Sequence, residues 1–405
     1  MQTQFTQTPS QTETSNSANT FLGLVICIYT FIVTLDLMIL PFIYQGLSSN
    51  QLESTLELST LFNLNIAGLV VSGIFAYFWL SRVSWQLVAL ASGLLFAACL
   101  ILTSFLQGSM SLVILFFLKG FAAGCLEVLC FVSAGLSQEK IRLFACATLG
   151  ALLAQAFYLV ISWWLASFLY YSTYYWLLAI VTLLSLSLIQ AFKAPQLIRP
   201  SMNRTKSLSS EEKLKIGLGL LILFCWSLAI NLSSNSTNLA LLIYNHSSSD
   251  KTWIEWIYFA SYFFNLLIII LVLALGKLLN NFSVQVSAYV LLTSCLLFLT
   301  GIHFLHLQLT LIIVLLSIVI HACIVFLKPI LLASLTSIQV SYNYLNSLYL
   351  ASLTSLLVNN FINPMFNGDL NNKDHLPMLF ISLDLLVIAG LALLFSQART
   401  KQHQY

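Results

Sequence analysis

Asp36 is the one charge in the run FIVTLDLMILPF, residues 31–42. Lys119, Glu127 and His321 also lie in otherwise apolar stretches. A carboxylate beside a cation stays ionised, and either protonating it or offering the cation another anion parts the two. An imidazole titrates near neutral pH. These residue types move protons and hold ions. Asn231, Asn235 and Asn238, spaced by four and three, share one face of a helix. Such an amide face either binds a neutral solute or holds a second helix. The eight cysteines all fall in apolar segments with no C-x-x-C or Cys/His cluster of metal spacing, so they read as packing residues. Neither a metal nor a cofactor is expected.

The elements that must position these groups follow from composition. Only 7% of the 405 residues are charged and 59% are hydrophobic, with a mean hydropathy of +0.93. That balance defines an integral membrane protein. A bilayer core of ~30 Å takes about 20 helical residues, because unpaired backbone groups cannot remain in hydrocarbon. On that scale the chain divides into twelve spans: 21–44, 58–80, 86–106, 111–135, 143–168, 171–193, 216–243, 253–279, 284–304, 308–330, 343–366 and 376–397. Residues 1–20 lack Lys and Arg and are expected as a disordered polar tail. With the N terminus inside, every Lys and Arg outside the spans falls on the cytoplasmic side except Lys251 and Lys373. This asymmetry predicts both termini in the cytoplasm. The basic, serine-rich segment 194–215 reads as a linker between an N-terminal six-helix bundle, 21–193, and a C-terminal one, 216–397, before a short tail, 398–405.

At ~1.5 Å rise per residue, Asp36 lies ~12 Å from the outer end of its helix and Lys119 the same distance from the outer start of its own. The two are level, and an ion pair is expected. Glu127 and His321 lie at ~24 and ~20 Å on the same scale, which makes a relay between them conceivable. For each pair a functional and a purely structural reading stay open. Lys328, before Pro329, is expected to reach towards headgroups. Asp384 is expected to contact its own bundle.

Twelve helices split six and six by a basic loop resemble the major facilitator superfamily. Local motifs add to the likeness. GIFAYFWLSR matches the ends of the family's G-x-L-x-D-R-x-G-R-R loop with Gly73 and Arg82, although Tyr77 stands in the Asp position. GKLLNNFS supplies Gly276 and Leu278 at the corresponding place in the second half, with Asn280 and Asn281 replacing Asp-Arg. FFLKGFAAG is similar to the R-x-x-x-G-x-x-x-G pattern, with Gly120 and Gly124 in place and Phe116 at the Arg position. LDLMILP looks like the D-x-x-L-P segment of some proton-coupled exporters with one extra residue. GALLAQAFYLVI, in contrast, lacks the G-P-x-x-G-G run of drug/proton antiporters.

The resemblance implies two pseudo-symmetric bundles that rock about a midplane site, with helices 1, 4, 7 and 10 lining a central cavity. It implies a secondary transporter of a small solute, expected to be coupled to protons through Asp36, Lys119, Glu127 and His321. Asn231, Asn235 and Asn238 are expected at the cavity. A monomer in a bacterial cytoplasmic membrane is expected, with no nucleic acid as partner. No P-loop signature offers direct ATP drive. The alternatives are a multispan enzyme acting on a lipid-linked substrate and a solute sensor on a transporter scaffold. The first needs a surface cluster of carboxylates or histidines that the loops lack, so an enzyme is not expected.

Overall fold

The computed structural model describes residues 9–49, 58–105, 109–160, 171–192, 210–247, 251–276, 278–280, 282–304, 310–339, 341–366 and 381–390. The elements are α1 Pro9–Ser49, α2 Leu58–Trp79, α3 Trp85–Thr103, α4 Ser109–Leu136, α5 Lys140–Val160, α6 Tyr171–Ser185, α7 Ser210–Ser247, α8 Lys251–Leu275, α9 Phe282–Phe304, α10 Thr310–Leu335 and α11 Tyr342–Phe366. A twelfth, α12, covers Ile381–Gly390. Among the described residues nine helices are long and apolar enough to cross a membrane, and the apolar stretches Tyr262–Leu275 and Ile381–Gly390 are shorter. The chain is a multi-pass membrane protein.

Each predicted span coincides with one helix, because spans are set by the hydrocarbon thickness and little else. Two differences stand out. The first helix begins at Pro9, so residues 9–20, expected as a disordered tail, are helical. Extending an existing helix orders one residue per new hydrogen bond, and proline suits a first helical position. Likewise α7 begins at Ser210 and takes in the last residues of the predicted linker; the rest of the linker lies outside the described residues.

Within the first half, α2 lies against α4, α1 against α5 and α6, and α3 against α4 and α6; in the second, α7 lies against α11, and α10 against α8 and α9. The halves meet where α5 touches α8 and α10, and where α2 touches α11. Large apolar side chains remain on the outside, among them Phe78, Leu87, Leu184, Phe263 and Leu297. In a membrane these face hydrocarbon and need no cover. On α12 the buried stripe is Ser382, Leu386 and Ala389. Asp384 falls on the other side of that helix and is exposed, which corrects the expected contact with its own bundle.

Candidate functional site

The α2 and α4 helices approach so closely that side chains are excluded between them. A Cβ on Gly120 would come within 2.0 Å of the Asn65 carbonyl, and one on Gly68 within 2.3 Å of the Phe117 carbonyl. Gly124 is equally crowded, by Ser72 and Leu69. The glycines of FFLKGFAAG therefore serve backbone contact between neighbouring helices. That contact carries Asn65 to Asp36, where its amide Nδ2 donates to Oδ2 at 3.3 Å. Gly120→Ala is accordingly expected to lower stability by about 1–3 kcal/mol through overpacking. Gly217 has nothing within 4 Å of a Cβ position, so Gly217→Ala is expected to be neutral or stabilising by up to ~1 kcal/mol. Thermal unfolding of the two variants in detergent measures the contrast.

The level pair of the sequence reading forms. Lys119 Nζ donates to Asp36 Oδ1 at 2.8 Å. The ammonium also stands 4.3 Å from the Phe116 ring centre and 5.6 Å from that of Tyr175, so two aromatic faces share its charge. The side chains of Lys119 and Asp36 are 1% and 2% exposed. Partners come from α1, α2, α4 and α6, all in one half, so the pair sits inside the N-terminal bundle and shut off from water.

Among the described residues, the hydrogen bonds between the halves lie at the end that carries the α2–α3, α4–α5 and α10–α11 turns. Ser341 caps α11 by accepting the Tyr344 N–H at 3.2 Å. The first turns of α11 then present polar groups to α2. Asn346 Nδ2 donates to the Gly73 carbonyl at 2.8 Å, and the Tyr77 and Ser347 hydroxyls share a hydrogen bond of 2.7 Å. Lys140, at the start of α5, donates to the Thr336 carbonyl at 3.0 Å and to Ser337 Oγ at 3.2 Å. The Trp85 and Tyr342 rings meet edge to face. Tyr77, which stands in the family's Asp position, thus makes a neutral contact across the halves. Asn280 lies in a short 3₁₀ turn, Leu278–Asn280, and Asn281 lies outside the described residues.

Glu127 is the carboxylate that, like Lys140, reaches across this junction. Its Oε2 accepts a hydrogen bond of 2.9 Å from the Tyr349 hydroxyl on α11. It also lies within electrostatic reach of Lys328 on α10 without forming a direct ion pair. Tyr349 and Lys328 are thus the groups placed at Glu127. His321 is half-buried, seven residues before Lys328 and on the same face of α10, ~10 Å along the helix. Asn231 is half-buried on α7, and the side chains of Asn235 and Asn238 lie outside the described residues. Among the described residues no cluster of three metal-ligating side chains occurs, and all eight cysteines are unbridged.

Sequence reasoning missed Asn65 and Tyr349. Asn65, Gly68 and Ser72 do form a small-polar stripe at helical spacing on α2, and that signal was available. Nothing local distinguishes Tyr349 from other tyrosines near helix ends, because its partner is 222 residues away.

Comparison with known proteins agrees with this architecture. The family model described as Major Facilitator Superfamily matches residues 25–341. This chain belongs to that superfamily and is a membrane transporter of a small-molecule substrate. No curated protein sequence matches it. Among solved structures it is similar to a proton:xylose symporter, XylE, bound to 6-bromo-6-deoxy-D-glucose, with 14% identity, TM-score 0.72, and 95% of this chain and 96% of that one covered. It is also similar to the transporter FucP in the outward conformation, with 14% identity, TM-score 0.68, and coverages of 93% and 98%. A third is a bacterial homologue of the iron transporter ferroportin in an outward-facing state, with 12% identity, TM-score 0.70, and coverages of 93% and 99%. At such identities the likeness is one of fold.

Proposed function

We propose that this chain is a proton-coupled secondary transporter that works by alternating access, with the closed end of the structure facing the cytoplasm. The observation that carries this reading is the placement of Glu127. A carboxyl of the first half takes its hydrogen bond from a hydroxyl of the second and feels the charge of Lys328 there. A proton on Glu127 removes the charge that attracts Lys328, so protonation and separation of the halves are linked. The orientation rests on the excess of Lys and Arg at that end, and two of the similar solved structures are described as outward-facing.

Asp36 and Lys119 take a different part in this reading. A sealed pair within one bundle has no route to bulk water, so it fixes α1 to α4 while the bundle moves as a unit. His321 faces the same region as Lys328 and is proposed as a secondary proton or solute contact; Asn231, Asn235 and Asn238 are proposed to give α7 a polar cavity face.

Spin labels at Arg82→Cys and Asn343→Cys, both exposed positions at the closed end on opposite halves, report the opening. In a background with the eight native cysteines replaced by alanine, one short separation is expected at pH 8, with a second, longer population at pH 5.5. A single unchanged separation across pH would sink both alternating access driven by Glu127 and the coupling assignment.

A further inference from the structure

Lys328 combines two properties that rarely occur together. It is exposed, yet the α10 residues one turn to either side of it, Ile324, Val325, Leu331 and Leu332, are all buried. Their face is therefore turned into protein, and a Lys with open surface there looks into a water-accessible gap and not into lipid. Glu127 stands across that gap on the opposite half, close enough to act on the ammonium but not in contact with it. By comparison, Lys119 is sealed and already paired. Lys328 is thus a cation with free surface at membrane depth, and its only described counter-charge belongs to a group that a proton can silence.

We propose that Lys328 binds the negative group of a small monoanionic solute, and that this anion takes the place left by the Glu127 carboxylate once that carboxylate is protonated. This rests on the coupling role given to Glu127 above and names the substrate class for that site. A single ammonium is a point charge without the planar fork that arginine offers to phosphate or paired oxygens, so one negative charge is the fit. Each anion enters with one proton, and the loaded site has the same net charge as the empty one: Lys328 with ionised Glu127 before, Lys328 with anion and neutral Glu127 after. That balance matters at membrane depth, where an uncompensated charge is costly.

The pH dependence follows from linkage. The groups that face Glu127 are Lys328 on α10, Tyr349 on α11 and Cys130 on α4, with Cys125 beside Tyr349. Ordinary thiol and phenol pKa values lie at about 8.5 and 10, so of these groups the carboxyl is the one that takes up a proton as the pH falls. Anion affinity is expected to rise as pH falls, by up to about tenfold per pH unit for one linked proton.

Thermal unfolding of the full chain in detergent, with lactate, succinate, inorganic phosphate, D-glucose or lysine as probe, tests this at pH 5.5 and pH 8. Lactate is expected to raise the unfolding temperature more than the other four, and more strongly at pH 5.5. Lys328→Gln is expected to abolish that shift, and Glu127→Gln to keep it while removing its pH dependence. The proposal is overturned by an undiminished anion shift in Lys328→Gln, by a response confined to D-glucose or lysine, or by no response to any anion. Label separations at the closed end that still respond to pH alongside any of these results would show that the coupling reading survives and only the substrate class is wrong.

Discussion

Asp36→Asn is expected to destabilise the protein by about 3–5 kcal/mol, because it leaves the Lys119 ammonium buried without its counter-charge. The amide is close in size to the carboxylate, so the loss is electrostatic and not a cavity effect. Phe116 and Tyr175 still face the ammonium, but an aromatic face contributes about 0.5–2 kcal/mol and does not replace a carboxylate at 2.8 Å. Asn65 also loses a charged acceptor. The neutral double variant Asp36→Leu with Lys119→Met is expected to recover most of the loss, since replacing both members of a buried pair by apolar groups is often near neutral. Unfolding midpoints and the monodisperse fraction in detergent measure both. Transport separates the two roles open for the pair. A folded double variant that still concentrates solute on a pH gradient makes the pair a framework. One that folds and equilibrates solute without concentrating it makes Asp36 a coupling group, contrary to the assignment above.

Depth was enough to match Asp36 with Lys119, because both lie on helices counted from the same surface and helical rise is constant. Access was not legible. Whether a level pair faces the central cavity or the bundle interior depends on helix rotation, and rotation here is set by the glycine contacts of α2 with α4. Those glycines were read from a family pattern, and their physical role, the backbone approach that brings Asn65 to Asp36, emerged only with the packing. Glu127 was recognised as a candidate, while its partners Tyr349 and Lys328 were not. Their separations in the chain exceed anything periodicity can reach, and a tyrosine near a helix end carries no local mark of function. The neutral contact between Tyr77 and Ser347 is an intermediate case. The loop motif identified the position, but only the structure shows that a phenol meets α11 where the family pattern has a carboxylate.

Glu127→Gln is expected to end concentrative transport while leaving solute exchange intact. The amide still accepts the Tyr349 hydrogen bond, so the closed end continues to form. It can no longer exchange a proton, so the halves part with or without a gradient. For one proton per solute, a gradient of one pH unit sustains at most about tenfold accumulation, equivalent to about 1.4 kcal/mol. In proteoliposomes given whichever probe anion shows Lys328-dependent binding, the wild type is expected to approach that ratio and Glu127→Gln to stop at one. Counterflow of the same anion, which needs no net proton movement, should persist in the variant. Tyr349→Phe serves as the control that keeps the charge and removes the donor. A hydrogen bond to a charged group contributes about 1.5–3 kcal/mol, so this variant should open the closed end more readily yet still couple. Accumulation near tenfold in Glu127→Gln would move the coupling proton to another group. His321 is then the first to test, since it lies on the Lys328 face of α10 and an imidazole is a side chain able to exchange protons near neutral pH.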